Sequence, residues 1–171
     1  MSRTVFFNTT LQGFATCHDK PMKIYPQLSD LQALVGQTIG TSDWLKIDQA
    51  RIDQFAAVTG DDQWIHLDAR RAAAGMYGTT VAHGYLTLSL LPLFSRSAFS
   101  IGGIRMSVNY GLNRVRFPAP VPVDSRLRAH YKLQSFEAVE GGVQIIAEVS
   151  IEREGHPKPV CIAEAVARHY P

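Results

Sequence analysis

The chain has 171 residues, enough for one domain that buries roughly two-thirds of its unfolded surface. A net charge of +2, with no basic run and no aromatic–basic ladder, excludes bulk attraction to nucleic acid. Hydrophobic residues at 46 % are ordinary, but charged residues at 19 % fall below the usual quarter or so, which points to surface covered by a partner chain.

Residues 1–21 carry no periodicity and read as an N-terminal extension to a domain over 22–171. Within them Arg3 precedes Val5-Phe6-Phe7, but Asn8-Thr9-Thr10 ends the apolar run far short of a signal peptide. Ser29 or Asp30 is expected to cap a short helix through Val35, closed by Gly36, and Gln37–Lys46 reads as a first strand. Ile52, Phe55, Ala56 and Val58 share one helical face, and Gly60 suits the left-handed residue that stops a helix. The next residues, Asp61 to Leu67, are expected to form a loop, with Asp68 as N-cap for Ala69–Ala74.

Ala82–Ala98 is apolar nearly all round, so it is expected to be a helix enclosed on all sides, kinked by Pro92. The uncharged run Thr79–Ser95 is interrupted by Thr, Ser, His and Pro, and reads as core helix and not as a membrane insertion. After Gly102-Gly103 the period changes to two. Ile104–Tyr110, Leu112–Phe117, Arg126–Phe136, Val143–Ile151 and Val160–His169 read as strands, with a hairpin turn at Glu140-Gly141-Gly142. Pro118, Pro120 and Pro122 demand a bend or an edge. One buried helix followed by antiparallel strands is an α+β architecture, a single sheet that must curl around its helix. Cys17 and Cys161 lack C-x-x-C spacing and the six histidines form no H-x-x-x-H or H-E-x-x-H pair, so no metal is expected. The expectation is a soluble, cytoplasmic protein.

Two stretches carry chemistry. Gly60-Asp61-Asp62-Gln63-Trp64-Ile65-His66-Leu67-Asp68 gathers a carboxylate, an amide and an imidazole within a few residues, and Ala82-His83-Gly84-Tyr85-Leu86-Thr87-Leu88 opens the apolar helix. A lone aspartate or histidine is more often a turn cap or a satisfied half-buried side chain. Together the stretches resemble the MaoC-like dehydratases, the hotdog-fold (R)-specific enoyl-CoA hydratases, over about residues 37–170. The usual family loop reads G-D-x-N-P-[LIV]-H-x-D, so Gln63 stands for Asn and Trp64 for Pro, and the five-residue spacing to His66 selects Asp61 over Asp62.

The resemblance implies a hotdog fold, a sheet wrapped around a long central helix, often paired into a homodimer. It also implies interconversion of trans-2-enoyl-CoA and (R)-3-hydroxyacyl-CoA without a separate cofactor, coenzyme A or an acyl carrier being part of the substrate. Asp61 and His66 are then the pair that activates water, with the roles of acid and base open, and Gly84 N–H is the oxyanion donor. Gly84 has a plainer reading as the residue of a tight entry turn. His83 either contacts substrate or anchors the helix start, and Gln63 either orients the loop or touches the water. Tyr85, Leu90 and Phe94, with Leu93, either line an acyl tunnel or are core. Trp64 reads as a packing residue, and Arg114 and Arg116 as a solvated strand face. A hotdog thioesterase is a competing reading, weakened because Thr79–Ser95 holds no carboxylate, and a non-catalytic acyl-binding subunit is another.

Overall fold

The computed structural model describes residues 21–171, so the expectation for the N-terminal extension lies, apart from Pro21, outside the described residues. Five antiparallel strands form the frame, in the order β2 (Thr38–Thr41), β6 (Ser125–Val139), β7 (Gly142–Arg153), β8 (Cys161–Tyr170) and β5 (Met106–Arg116), with β3 (Leu45–Ile47) also paired to β6. The period-two stretches fold as read. Leu127, Ala129, Tyr131 and Leu133 of β6 and Ile145, Ala147, Val149 and Ile151 of β7 are all buried on one face. Gly141, at φ 71°, makes the β6–β7 hairpin, and Val139 pairs with Gly142 across it.

That face packs on the helical segment α4 (Gly84–Ser89) and α5 (Leu91–Ala98). Leu86, Leu90, Phe94 and Ala98, spaced four apart, make its buried stripe. Each large apolar side chain so buried contributes about 1.5–3 kcal/mol. The helix breaks at Leu90, and Pro92 sits in the first turn of α5, where its missing N–H costs no hydrogen bond. Enclosure on all sides, however, is not what forms. Tyr85 is 68 % and Leu93 41 % exposed, because one sheet covers one side of the helix and both residues lie off that stripe.

Other local expectations change in detail. The helix at Leu28–Leu34 is a 3₁₀ helix capped by Gln27, whose N–H bonds the Asp30 carboxylate at 2.9 Å. The first strand is two short ones, β2 and β3, while the two strands expected over 104–117 are one, β5, bent by irregularities near Gly111 and Leu112. Two short strands, β1 (Lys23–Tyr25) and β4 (Phe99–Ile101), pair in parallel as a separate sheet that the sequence pattern did not signal. The proline stretch bends and pairs along an edge: Ala82 N–H bonds Val121 O at 2.7 Å and Val123 N–H bonds Thr80 O at 2.9 Å. This ladder fixes the chain just before Gly84. Among the described residues no helix is long and apolar enough to cross a membrane.

Candidate active site

The site grows from the end of α1 (Gln49–Thr59). Gly60 adopts φ 74° and its N–H closes the helix on Ala56 O at 2.8 Å. The chain then turns through Asp61 and Asp62, both exposed. Contrary to the expected loop, Trp64–Leu67 forms one helical turn, α2, closed by His66 N–H on Gln63 O at 2.9 Å and Asp68 N–H on Trp64 O at 3.0 Å. Asp68 caps α3 (Ala69–Ala73) as expected, accepting from Arg71 N–H at 2.9 Å.

His66 is buried at 6 % exposure. Its Nδ1 lies 2.6 Å from Val81 O, and since a carbonyl only accepts, Nδ1 carries the proton. In the neutral ring Nε2 is therefore the basic atom. Burial, the leading effect, holds His66 below the usual histidine range; neighbouring His83 pushes the same way, against the Val81 carbonyl and Asp61. His83, 2 % exposed, donates from Nε2 to the backbone O of Asp61 at 2.9 Å. The two imidazoles stack with centroids 3.7 Å apart and planes 24° from parallel, and the Phe55 ring meets His83 at 5.0 Å, tilted by 51°.

A carboxylate oxygen of Asp61 and ring nitrogens of His66 and His83 thus lie within 4.8 Å of one another. Two nearly parallel stacked rings cannot both aim an in-plane lone pair at a single ion, and one nitrogen of each is already bonded to a carbonyl, so the cluster is poorly arranged to chelate a metal. An exposed carboxylate beside a buried, neutral imidazole can take a proton from water and hand one back.

Gly84 opens α4 directly after His83, and its N–H, in the first turn, has no intrahelical acceptor. A Cβ there would lie 2.9 Å from the Phe117 ring, so any side chain at this position would have to push that ring aside. Of the remaining expected residues, Gln63 is exposed and its side chain caps nothing, while Trp64 packs over Gly75 and under Arg71, as a packing residue should. Tyr85 meets the edge of Phe117 at 5.9 Å. Leu90 and Phe94 belong to the core. A cavity of about 980 Å³ between the helix and the β5–β8 side of the sheet is lined instead by Leu88, Leu91, Pro92 and Ser95. Sequence reasoning missed Gln49, whose Nε2 donates to His66 O at 2.8 Å and whose Oε1 accepts from Thr80 Oγ1 at 2.7 Å. No motif marks it; only the fold brings the start of α1 to this point.

Fold and site together point to a hotdog-fold hydro-lyase, with Asp61, His66 and His83 gathered beside the first turn of the helix that the sheet packs on. Comparison with known proteins agrees. The family model for the MaoC like domain matches residues 30–154, and the chain belongs to that family. It is 47 % identical to 3-hydroxyacyl-thioester dehydratase Z of Mycobacterium tuberculosis over 149 residues, 86 % of this chain and 99 % of that protein. It is 41 % identical to nodulation protein N of Rhizobium meliloti over 143 residues, 82 % of this chain and 89 % of that one. The unliganded R-hydratase of Pseudomonas aeruginosa superposes with a TM-score of 0.63 at 25 % identity, over 80 % of this chain and 81 % of that chain.

Proposed function

We propose that the protein interconverts trans-2-enoyl thioesters and (R)-3-hydroxyacyl thioesters. The observation that carries this reading is the convergence of Asp61, His66 and His83 within 4.8 Å beside Gly84. In hydration, the pair holds one water; His66 Nε2 or the Asp61 carboxylate takes its proton as the oxygen bonds to Cβ. The electron pair moves onto the thioester oxygen, where Gly84 N–H stabilises the enolate, and a proton returned by the pair to Cα completes the product. Substrate enters with its pantetheine arm, from coenzyme A or an acyl carrier, and the acyl chain runs into the cavity flanked by Leu88, Leu91 and Pro92. Kinship with a dehydratase named for 3-hydroxyacyl thioesters supports the substrate class.

The protein works as a homodimer through β5. This strand ends the sheet, runs for 11 residues and is exposed along nearly all of them, an edge that a second copy can pair. Light scattering at micromolar concentration should return twice the chain mass; a monomer refutes the pairing. The reaction is tested by following the enoyl absorbance of crotonyl-CoA and longer enoyl-CoAs, with chiral analysis of the product and a thiol assay in parallel. Loss of absorbance with an (R)-product and no thiol release is expected. Thiol release would make the enzyme a thioesterase, and silence on every chain length would make it a binding subunit.

A further inference from the structure

The cavity beside the helix changes character along its length. Leu88, Leu91, Pro92 and Ser95 follow Gly84 at four, seven, eight and eleven residues, the spacing of one helical face. At the helical rise the cavity begins about 6 Å beyond Gly84, and it runs on along α5 towards Phe99. The opposite wall is oriented by Phe117, just past the end of β5, whose ring touches the Gly84 position. Going back along β5 through Leu112, Gly111 and Asn109 to Ser107 therefore leads away from the reacting end. Small residues of β7 and β8, among them Ala147, Ala165 and Ala167, leave the middle of this path open.

At the far end the lining turns polar. Ser107 and His169 are register partners across β5 and β8, and Ser107 Oγ lies 2.8 Å from His169 Nδ1. His169 is 8 % exposed, its Nε2 is buried without a partner among the described residues, and burial keeps its pKa below the usual range, so the ring is neutral. Asn109 lines the same wall, and among the described residues its amide has no hydrogen bond. Among the described residues the one formally charged residue lining the cavity, Arg96, is exposed and belongs to the helix, not to this cluster. An alkyl chain laid over the exposed Ser107 and Asn109 would remove their water and return no hydrogen bond, whereas an oxygen on the chain would restore one.

We propose that Ser107, Asn109 and His169 form a specificity site for acyl groups that carry a neutral hydroxyl or carbonyl oxygen remote from the thioester. The inference rests on the acyl-thioester reading above and narrows its substrate class. Long oxygenated acyl thioesters reach the cluster, and short ones do not. A carboxylate is disfavoured there, because no cation in the cluster compensates its desolvation.

The test compares kcat/KM for three long 2-enoyl thioesters of equal length, ending in an alkyl, a hydroxyl or a carboxylate group, with crotonyl-CoA alongside. The hydroxylated substrate should exceed the alkyl one by at least about tenfold, since a site built around hydrogen bonding rejects analogues that lack the partner. In Ser107→Ala combined with Asn109→Leu the ratio of these two substrates should fall towards one. Because it is a ratio within each variant, reduced folding alone does not move it. A second variant, Gly111→Leu, adds bulk where a Cβ meets no atom within 4 Å, and should lower the long hydroxylated substrate relative to crotonyl-CoA. Equal or better turnover of the alkyl substrate, a preference for the carboxylate, or a preference that survives the double substitution overturns the proposal while leaving the reaction standing. Failure to hydrate any of them, crotonyl-CoA included, sinks both.

Discussion

Asp61 and Asp62 are adjacent, exposed carboxylates, yet only the first lies with the two histidines. Replacing Asp61 by Asn keeps the shape of the side chain and removes its basicity. The anchor of this loop is untouched, because His83 holds the backbone carbonyl of Asp61 and not its side chain. Stability should therefore change by no more than about 0.5 kcal/mol, as for other exposed substitutions. Turnover should fall by about 10²–10⁴-fold, the usual worth of a positioned acid or base, which is about 2.7–5.4 kcal/mol on the barrier. His66→Gln should lose as much, and the double variant scarcely more, since the two groups act on one water. Asp62→Asn should cost far less. Steady-state hydration of crotonyl-CoA, with thermal unfolding as the control, reads all four. A crippling loss in Asp62→Asn, or an Asp61→Asn variant that keeps most of its activity, refutes the role proposed for Asp61.

Gly84→Ala would set a Cβ 2.9 Å from the Phe117 ring; that ring is 39 % exposed and can yield, so about 1 kcal/mol of stability should go while kcat falls much more steeply. Equal losses in both, scored by melting and kinetics, would make Gly84 a packing residue only. His83→Phe preserves a ring against His66 but loses the 2.9 Å bond to Asp61 O, whereas His83→Gln keeps a donor near that carbonyl and loses the stack. The Gln variant should retain the higher kcat, and the reverse order would mean that stacking, not the anchored loop, is what counts. His66 is held below the usual value near 6.5 by burial, so the folded protein favours its neutral form. Activity and the His66 share of stability are then complete above about pH 6.5 and are lost as pH falls through the lower folded value; an acid limb in kcat/KM centred above 6.5 contradicts this.

Much of the fold was legible because its signals are local. The alternation of Leu127, Ala129, Tyr131 and Leu133 survives folding unchanged, since period two already says which face meets the helix. The α5 break likewise follows from one proline. What failed was whatever depended on distant partners. Exposure of Tyr85 and Leu93 could not be read from a helix apolar all round, because the area one sheet covers is a tertiary fact. Pairing of β1 with β4 joins three-residue strands more than seventy positions apart, too short to show a period of their own.

The site divides along the same line. Motif spacing placed Asp61 and His66 together and singled out Gly84, yet it left His83 between two roles and was silent on Gln49. The structure connects these residues through backbone atoms: His83 to Asp61 O, His66 to Val81 O, Gln49 to His66 O. Backbone acceptors carry no residue identity, so nothing in a sequence marks the position that supplies one. The consequence is chemical as well as structural. With the Asp61 carbonyl held by His83, the Asp61 carboxylate makes no hydrogen bond of its own among the described residues, which suits the water-binding role proposed above. With His66 Nδ1 spent on Val81 O, the lone pair of the neutral ring is on Nε2. In each residue one hydrogen-bonding group is tied to a distant part of the chain, and that leaves the other turned over to the site proposed above.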